Sequence, residues 1–191
     1  MSEISSTRMT RRGFALTALA GAGVTAACGN GVGNMNGQKI DARVDATLGY
    51  LFDQYPEARE ISAKSVAVLV MPVITEAGLG IGGSYGQGAL RINDQTVDYY
   101  SATAANVGLQ IGAQQYAHVL FFMSQNALER FRRYEGWTAG ADLDVAFANV
   151  GDTLRADTNT SLTPIVGYIF GNAGARLGAT IEGLKYTRII P

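Results

Sequence analysis

The 191-residue chain has one cysteine, one histidine, one tryptophan and four prolines, and only 16% of its residues are charged. A single cysteine, Cys28, excludes any intramolecular disulfide. A single histidine, His118, excludes a multi-histidine metal centre. No basic run is present and the formal net charge is −1, which argues against nucleic acid, because phosphate binding needs clustered Lys and Arg to displace counterions. The apolar run near the start, Phe14 to Val24, falls short of the ~20 apolar residues that cross a bilayer. What the chain has in abundance is glycine, 24 residues of it.

Arg8, Arg11 and Arg12 precede that short apolar run, and small residues follow it up to Ala26-Ala27-Cys28. This is the layout of a removable secretory signal. Arg11, Arg12 and Phe14 resemble the twin-arginine export motif, a receptor-read address; an ordinary secretory signal is the alternative. Thr25-Ala26-Ala27-Cys28 reads as a lipidation site, which explains a lone thiol in an oxidising compartment. The expected organisation is a signal over 1–27, a flexible Gly/Asn tether over 28–39 and one domain over 40–191. Loss of the signal removes three arginines and Glu3 and leaves a formal charge of −3. The expected location is the periplasmic side of a bacterial envelope, with Gly29 leaning towards the outer membrane.

Ile40, Val44, Leu48, Leu51, Phe52 and Tyr55 recur at spacings of three and four, the stripe of an amphipathic helix. Pro56 ends it and opens a second short helix to Lys64. The run Val66 to Met71 reads as a buried strand closed by Pro72. From Gly78 to Ala89 every even position is glycine or serine, and the same habit returns near Gly108 and Gly167. A strand tolerates bare backbone where something approaches closely or the sheet bends, so the fold class is α+β with a strongly curved, barrel-like antiparallel sheet. Asn93-Asp94 marks a turn, Thr96 to Ser101 and Tyr116 to Met123 are strands, and Ser124 caps a helix through Tyr134 with Gly136 beyond it. Asp142 to Val150, Pro164 to Phe170 and Ala173 to Ile190 supply the remaining strands.

Gly78-Leu79-Gly80-Ile81-Gly82-Gly83 matches a dinucleotide fingerprint, but a two-residue alternation continues where a helix N-terminus would have to hold pyrophosphate. No cofactor is expected. His118 reads as a core residue, and a Ser-His-Asp hydrolase lacks the G-x-S-x-G elbow. Asp142 and Asp144 share a strand face and read as solvated acids, with a cation site as the sharper alternative. Arg130, Arg132 and Arg133 on one helix, followed by Trp137, form the candidate headgroup-binding set, since guanidinium pairs with phosphate; a solvated helix face with Trp137 in the core is the blander account.

Three stretches together resemble the SYLF domain family: AKSVAVLVMPVITEAGLGIGGSYGQGAL from Ala63, Tyr99 to Phe147 with YYSATAANVGLQIGAQ, LFFMSQNALERF and GWTAGADLDVAF, and Asp157 to Ile189 with DTNTSLTPIVGYIFGNAGA and ATIEGLKY. The resemblance implies binding of phospholipid, especially phosphoinositide, and, in some eukaryotic relatives, actin. Actin does not suit an exported bacterial protein. The expectation is a noncatalytic, lipid-anchored domain contacting membrane phospholipid, with an envelope component as the alternative partner.

Overall fold

Tyr116 to Phe122 is apolar at every position but His118 because the strand that carries it is buried on both faces. A computed structural model describes residues 31–133, 136–138, 145–148, 163–171 and 183–191, apart from the side chains of 79, 80, 106–112 and 145–148. Leu120, Phe122 and Tyr116 lie in one core; Ala117, Val119 and Phe121 lie in the other. The run after Val66 divides the same way, Leu69 and Met71 against Val70. Continuous hydrophobicity is what two-sided burial requires.

The elements run α1 (Met35–Gln54), α2 (Pro56–Lys64), β1 (Ala67–Ile92), β2 (Gln95–Phe122), α3 (Gln125–Arg133), β3 (Trp137–Thr138), β4 (Val145–Ala148), β5 (Ile165–Gly171) and β6 (Lys185–Ile189). Among the described residues they make one six-stranded sheet. β1 pairs with one edge of β2 along its length, while β6 takes Tyr99 to Thr103 and β5 takes Tyr116 to Phe122 on the other edge. The sheet is curled into a half-barrel, as the glycine pattern leads one to expect. One pairing departs from the antiparallel expectation: β4 runs parallel to β5.

β1 and β2 are far longer than the separate short strands read from the sequence. Pro72 does not close β1; the strand passes through a register shift between Met71 and Ile74, where Pro72 and Val73 stand against Ala117 alone. A bulge leaves residues outside the ladder, so the missing proline N–H removes no required bond. The turn at Asn93 and Asp94 has φ of 51° and 61°, the left-handed pair of a two-residue hairpin whose twist matches the strands.

Curvature brings β1 back over itself. A Cβ on Gly88 would strike the Val70 carbonyl oxygen and lie 2.6 Å from Met71 Sδ, and one on Gly86 would strike Ile74 and the Val73 carbonyl. Two halves of one strand therefore pack backbone to backbone, which only the bare face of residues 78–88 allows. The Gly78-to-Gly83 segment is strand throughout, so no helix N-terminus follows it for a pyrophosphate.

α1 and α2 cover one face. Ile40, Val44 and Leu51 are buried there with Ala58 and Ile61 of α2, and Leu48, Phe52 and Tyr55 pack alongside, the predicted stripe in full. Pro56 opens α2 at its first position. α1 begins at Met35, ahead of the expected domain start at Ile40, because Asn34 caps it by accepting from Gly37 N–H at 2.6 Å. Residues 35–39 of the expected tether are thus helix. On the other face α3 buries Ala127, Leu128 and Phe131, starts under a Ser124 cap (Ala127 N–H to Oγ, 3.2 Å), and is followed by Gly136 at φ +78°.

Candidate functional site

The first described residues pack against the last. Asn34 Nδ2 donates to the Pro191 carbonyl at 2.8 Å, and Gly31 lies against the Pro191 ring. Around this contact three apolar side chains face solvent, Val32 at 46%, Met35 at 77% and Ile190 at 72% exposure. Exposed apolar residues scattered singly need no explanation; three gathered at one end do. Gly31 follows Cys28 by three residues, so the chain between them reaches at most ~10 Å.

A charged group sits beside that end. Arg188, two residues before Ile190, places Nε 3.6 Å from Asp98 Oδ1, and Arg132 NH2 lies 3.1 Å from Asp98 Oδ2. Asp98 is buried in β2 while the two guanidinium side chains remain 41% and 48% exposed. The cluster ties α3 to the sheet and presents two cations for one acid. Because the acid is the buried member, the two ways of breaking it differ. Removing both arginines strands a carboxylate away from water, whereas removing the acid leaves cations that solvent can hydrate. The Arg132→Ala, Arg188→Ala double variant is expected to lose roughly 2 kcal/mol in urea unfolding, after discount for the exposed partners, and Asp98→Asn less than half of that; an equal loss in both would refute the asymmetry.

The four residues singled out in the sequence do not form one surface. Arg130, Arg132 and Arg133 all lie on the exposed side of α3. Trp137 does not join them: it is buried, 5.3 Å from Phe131 and 5.5 Å from Tyr186 between ring centroids. Its indole anchors the core beneath α3 that also holds Tyr116, Leu120 and Phe122, since an edge-to-face aromatic cluster there gains both area and ring contacts. Arg188 was missed, because a single arginine in Thr187-Arg188-Ile189 carries no signal of its own; only the register that sets Arg188 opposite Tyr100 brings it to Asp98. Asp142, Asp144, Cys28, Arg11, Arg12 and Phe14 lie outside the described residues.

His118 is fully buried, and its Nε2 shares a 2.8 Å hydrogen bond with the Tyr186 hydroxyl. Burial pulls its pKa down to about 3 and pushes that of Tyr186 well above the usual range. A neutral imidazole walled off from solvent holds a core together. Among the described residues no group of three His, Cys, Asp or Glu side chains is placed to hold a metal ion, and no helix is long and apolar enough to cross a membrane.

α1 also meets the sheet at its polar rim. Asp41 accepts from Thr96 Oγ1 and from Tyr99 Oη, both at 2.8 Å, and Asp45 pairs with Arg91 at 2.6 Å. Burial first, then the Asp41 hydrogen bond, pushes the Tyr99 phenol up to about 12. Asp41 and Asp45 of α1 are therefore used in docking the helix, and Arg43 of the same helix has no ion-pair partner among the described residues. Arg43 borders a groove of 480 Å³ between α1 and the bulged part of β1.

Comparison with curated proteins gives no match. Residues 103–188 match the family model described as "Ysc84: Las17-binding protein actin regulator". That span runs from the middle of β2 through α3 to the end of β6, and takes in Trp137, His118, Tyr186 and Arg188. This match, together with the curled half-barrel and its helices, fits the resemblance to the SYLF domain family over that part of the chain.

Proposed function

We propose that the protein is an exported bacterial lipoprotein, held in the envelope through acyl chains on Cys28, whose domain makes noncatalytic contact with membrane phospholipid. The observation that carries this reading is the exposed apolar end formed by Val32, Met35 and Ile190, within a short reach of Cys28 and beside the cations Arg132 and Arg188. Apolar side chains enter the acyl boundary while guanidinium groups meet phosphate, the arrangement of an interfacial surface. The arginines of α3 remain candidates for the same headgroups; Trp137 does not, because its ring is in the core. Burial of His118 supports the noncatalytic reading, since no substrate reaches the ring. The actin regulation in the family model's description is not carried over to an envelope protein.

Fractionation and flotation test this. Cys28→Ser in the full chain is expected to move the protein from the membrane to the soluble fraction. That soluble form should still float with vesicles rich in anionic phospholipid, and Met35→Asp with Ile190→Asp should weaken flotation about tenfold or more, because each apolar side chain withdrawn from the boundary forfeits ~1.5 kcal/mol or more. Unchanged membrane association of Cys28→Ser would remove the anchor. Failure to float with any lipid would turn the reading towards an envelope protein as partner.

A further inference from the structure

The groove beside Arg43 has a composition that the membrane-facing end does not need. Its floor is the β1 bulge, where Pro72 and Val73 are pushed out of the ladder, and its opposite wall is Tyr85 of the same strand, brought round by the close approach at Gly86. Ile40 and Arg43, one helical turn apart on α1, close the third side. Val73 and Tyr85 are both exposed apolar surface. The lining is mixed: Ile40, Pro72, Val73 and Tyr85 supply an apolar strip beside the polar Thr75, Gln87 and Gln115, with Arg43 as its one charged side chain. Gln115, which also lines the groove, donates through Nε2 to Thr75 Oγ1 at 3.1 Å. No acidic residue lines it, so the charge of the site is of one sign.

We propose that this groove binds one molecule of a single-chain anionic amphiphile, a fatty acid, with its carboxylate on Arg43 and its chain along Ile40, Pro72, Val73 and Tyr85. Arginine presents a planar fork that takes a carboxylate through two parallel hydrogen bonds. A volume of 480 Å³ lies within the roughly 300–1,000 Å³ of sites that enclose one small ligand, and excludes a patch of bilayer. The inference goes beyond membrane contact: it concerns a monomeric ligand and holds whether or not Cys28 is acylated.

The test uses the full chain carrying Cys28→Ser, which keeps acyl chains and detergent away from the groove, titrated calorimetrically with dodecanoate below its micelle concentration. One saturable site is expected, with decanoate binding several-fold more weakly because two methylenes fewer are buried. Arg43→Gln should weaken dodecanoate at least tenfold, and Val73→Asp, which sets an acid in the groove at an exposed position, should do the same with an unchanged circular dichroism spectrum. Dodecyltrimethylammonium, of equal chain and opposite charge, should not bind. Absence of saturable dodecanoate binding overturns the proposal, as does equal affinity for the cationic probe or for Arg43→Gln. Met35→Asp, which impairs flotation, should leave dodecanoate affinity as it was, so that failure of the membrane reading and failure of this one are told apart.

Discussion

Gly88→Ala is expected to destabilise the protein by about 3 kcal/mol or more, the upper range for forcing atoms into a packed interior. The added carbon would meet the Val70 carbonyl and the Met71 sulfur, which belong to the other half of the same folded strand. Backbone cannot swing aside as a flexible side chain can, so relief requires the half-barrel to open. Against the marginal ~5–15 kcal/mol of a typical domain this is a large fraction. Gly49 supplies the control. It lies in mid-helix in α1 with nothing within 4 Å of an added Cβ, so Gly49→Ala should stabilise by ~0.5–1 kcal/mol through reduced freedom of the unfolded chain and better helix propensity. Urea denaturation of both variants checks the pair. Equal small effects would mean that the two halves of β1 do not pack as closely as described.

Stability should fall as the pH is lowered through the range where an ordinary imidazole charges. Burial holds His118 neutral in the folded protein down to about pH 3, whereas in the unfolded chain it protonates near 6.5. Between those values the unfolded state binds one more proton than the folded state, so each fall in pH favours unfolding. The contribution is fully present above pH 6.5. By pH 5 about 2 kcal/mol of it is lost, from the difference between the two protonation equilibria. Because His118 is the sole histidine, the assignment is direct: His118→Gln, whose amide still reaches the Tyr186 hydroxyl, should flatten the dependence between pH 7 and pH 5 whatever its effect at neutral pH. A variant with the wild-type slope would show that the slope has another origin.

Periodicity made the helices legible. Three- and four-residue spacing located α1 and its buried stripe, and Ser124 and Gly136 bounded α3, because caps and apolar faces are written locally. The glycines of residues 78–88 gave the curvature, since bare backbone along one face has few other uses. Sequence misplaced the start of α1, where Asn34 looks like one more polar residue of a glycine-rich leader until its side-chain Oδ1 is seen to accept from Gly37 N–H. It also split β1 at Pro72, because a bulge is a relation between two strands and leaves no mark on one. The surface around Arg188 was invisible for the same reason. Asp98, Arg132 and Arg188 are far apart in the chain, and only the β2–β6 register and the seating of α3 make them neighbours. Trp137 followed the commoner behaviour of a lone tryptophan and went to the core.

The early start of α1 has a consequence for how strongly the domain must bind anything beside it. With the helix capped at Asn34 and Gly31 already seated on Pro191, an acylated Cys28 would be joined to folded protein by only three peptide links. So short a strap fixes which end points at the lipid and confines it there. Headgroups within its reach are then met at the millimolar effective concentrations that short linkers impose. Contacts too feeble to survive in free solution would stay occupied, and the surface need not be strongly basic, which accords with the formal charge of −3 carried by residues 28–191.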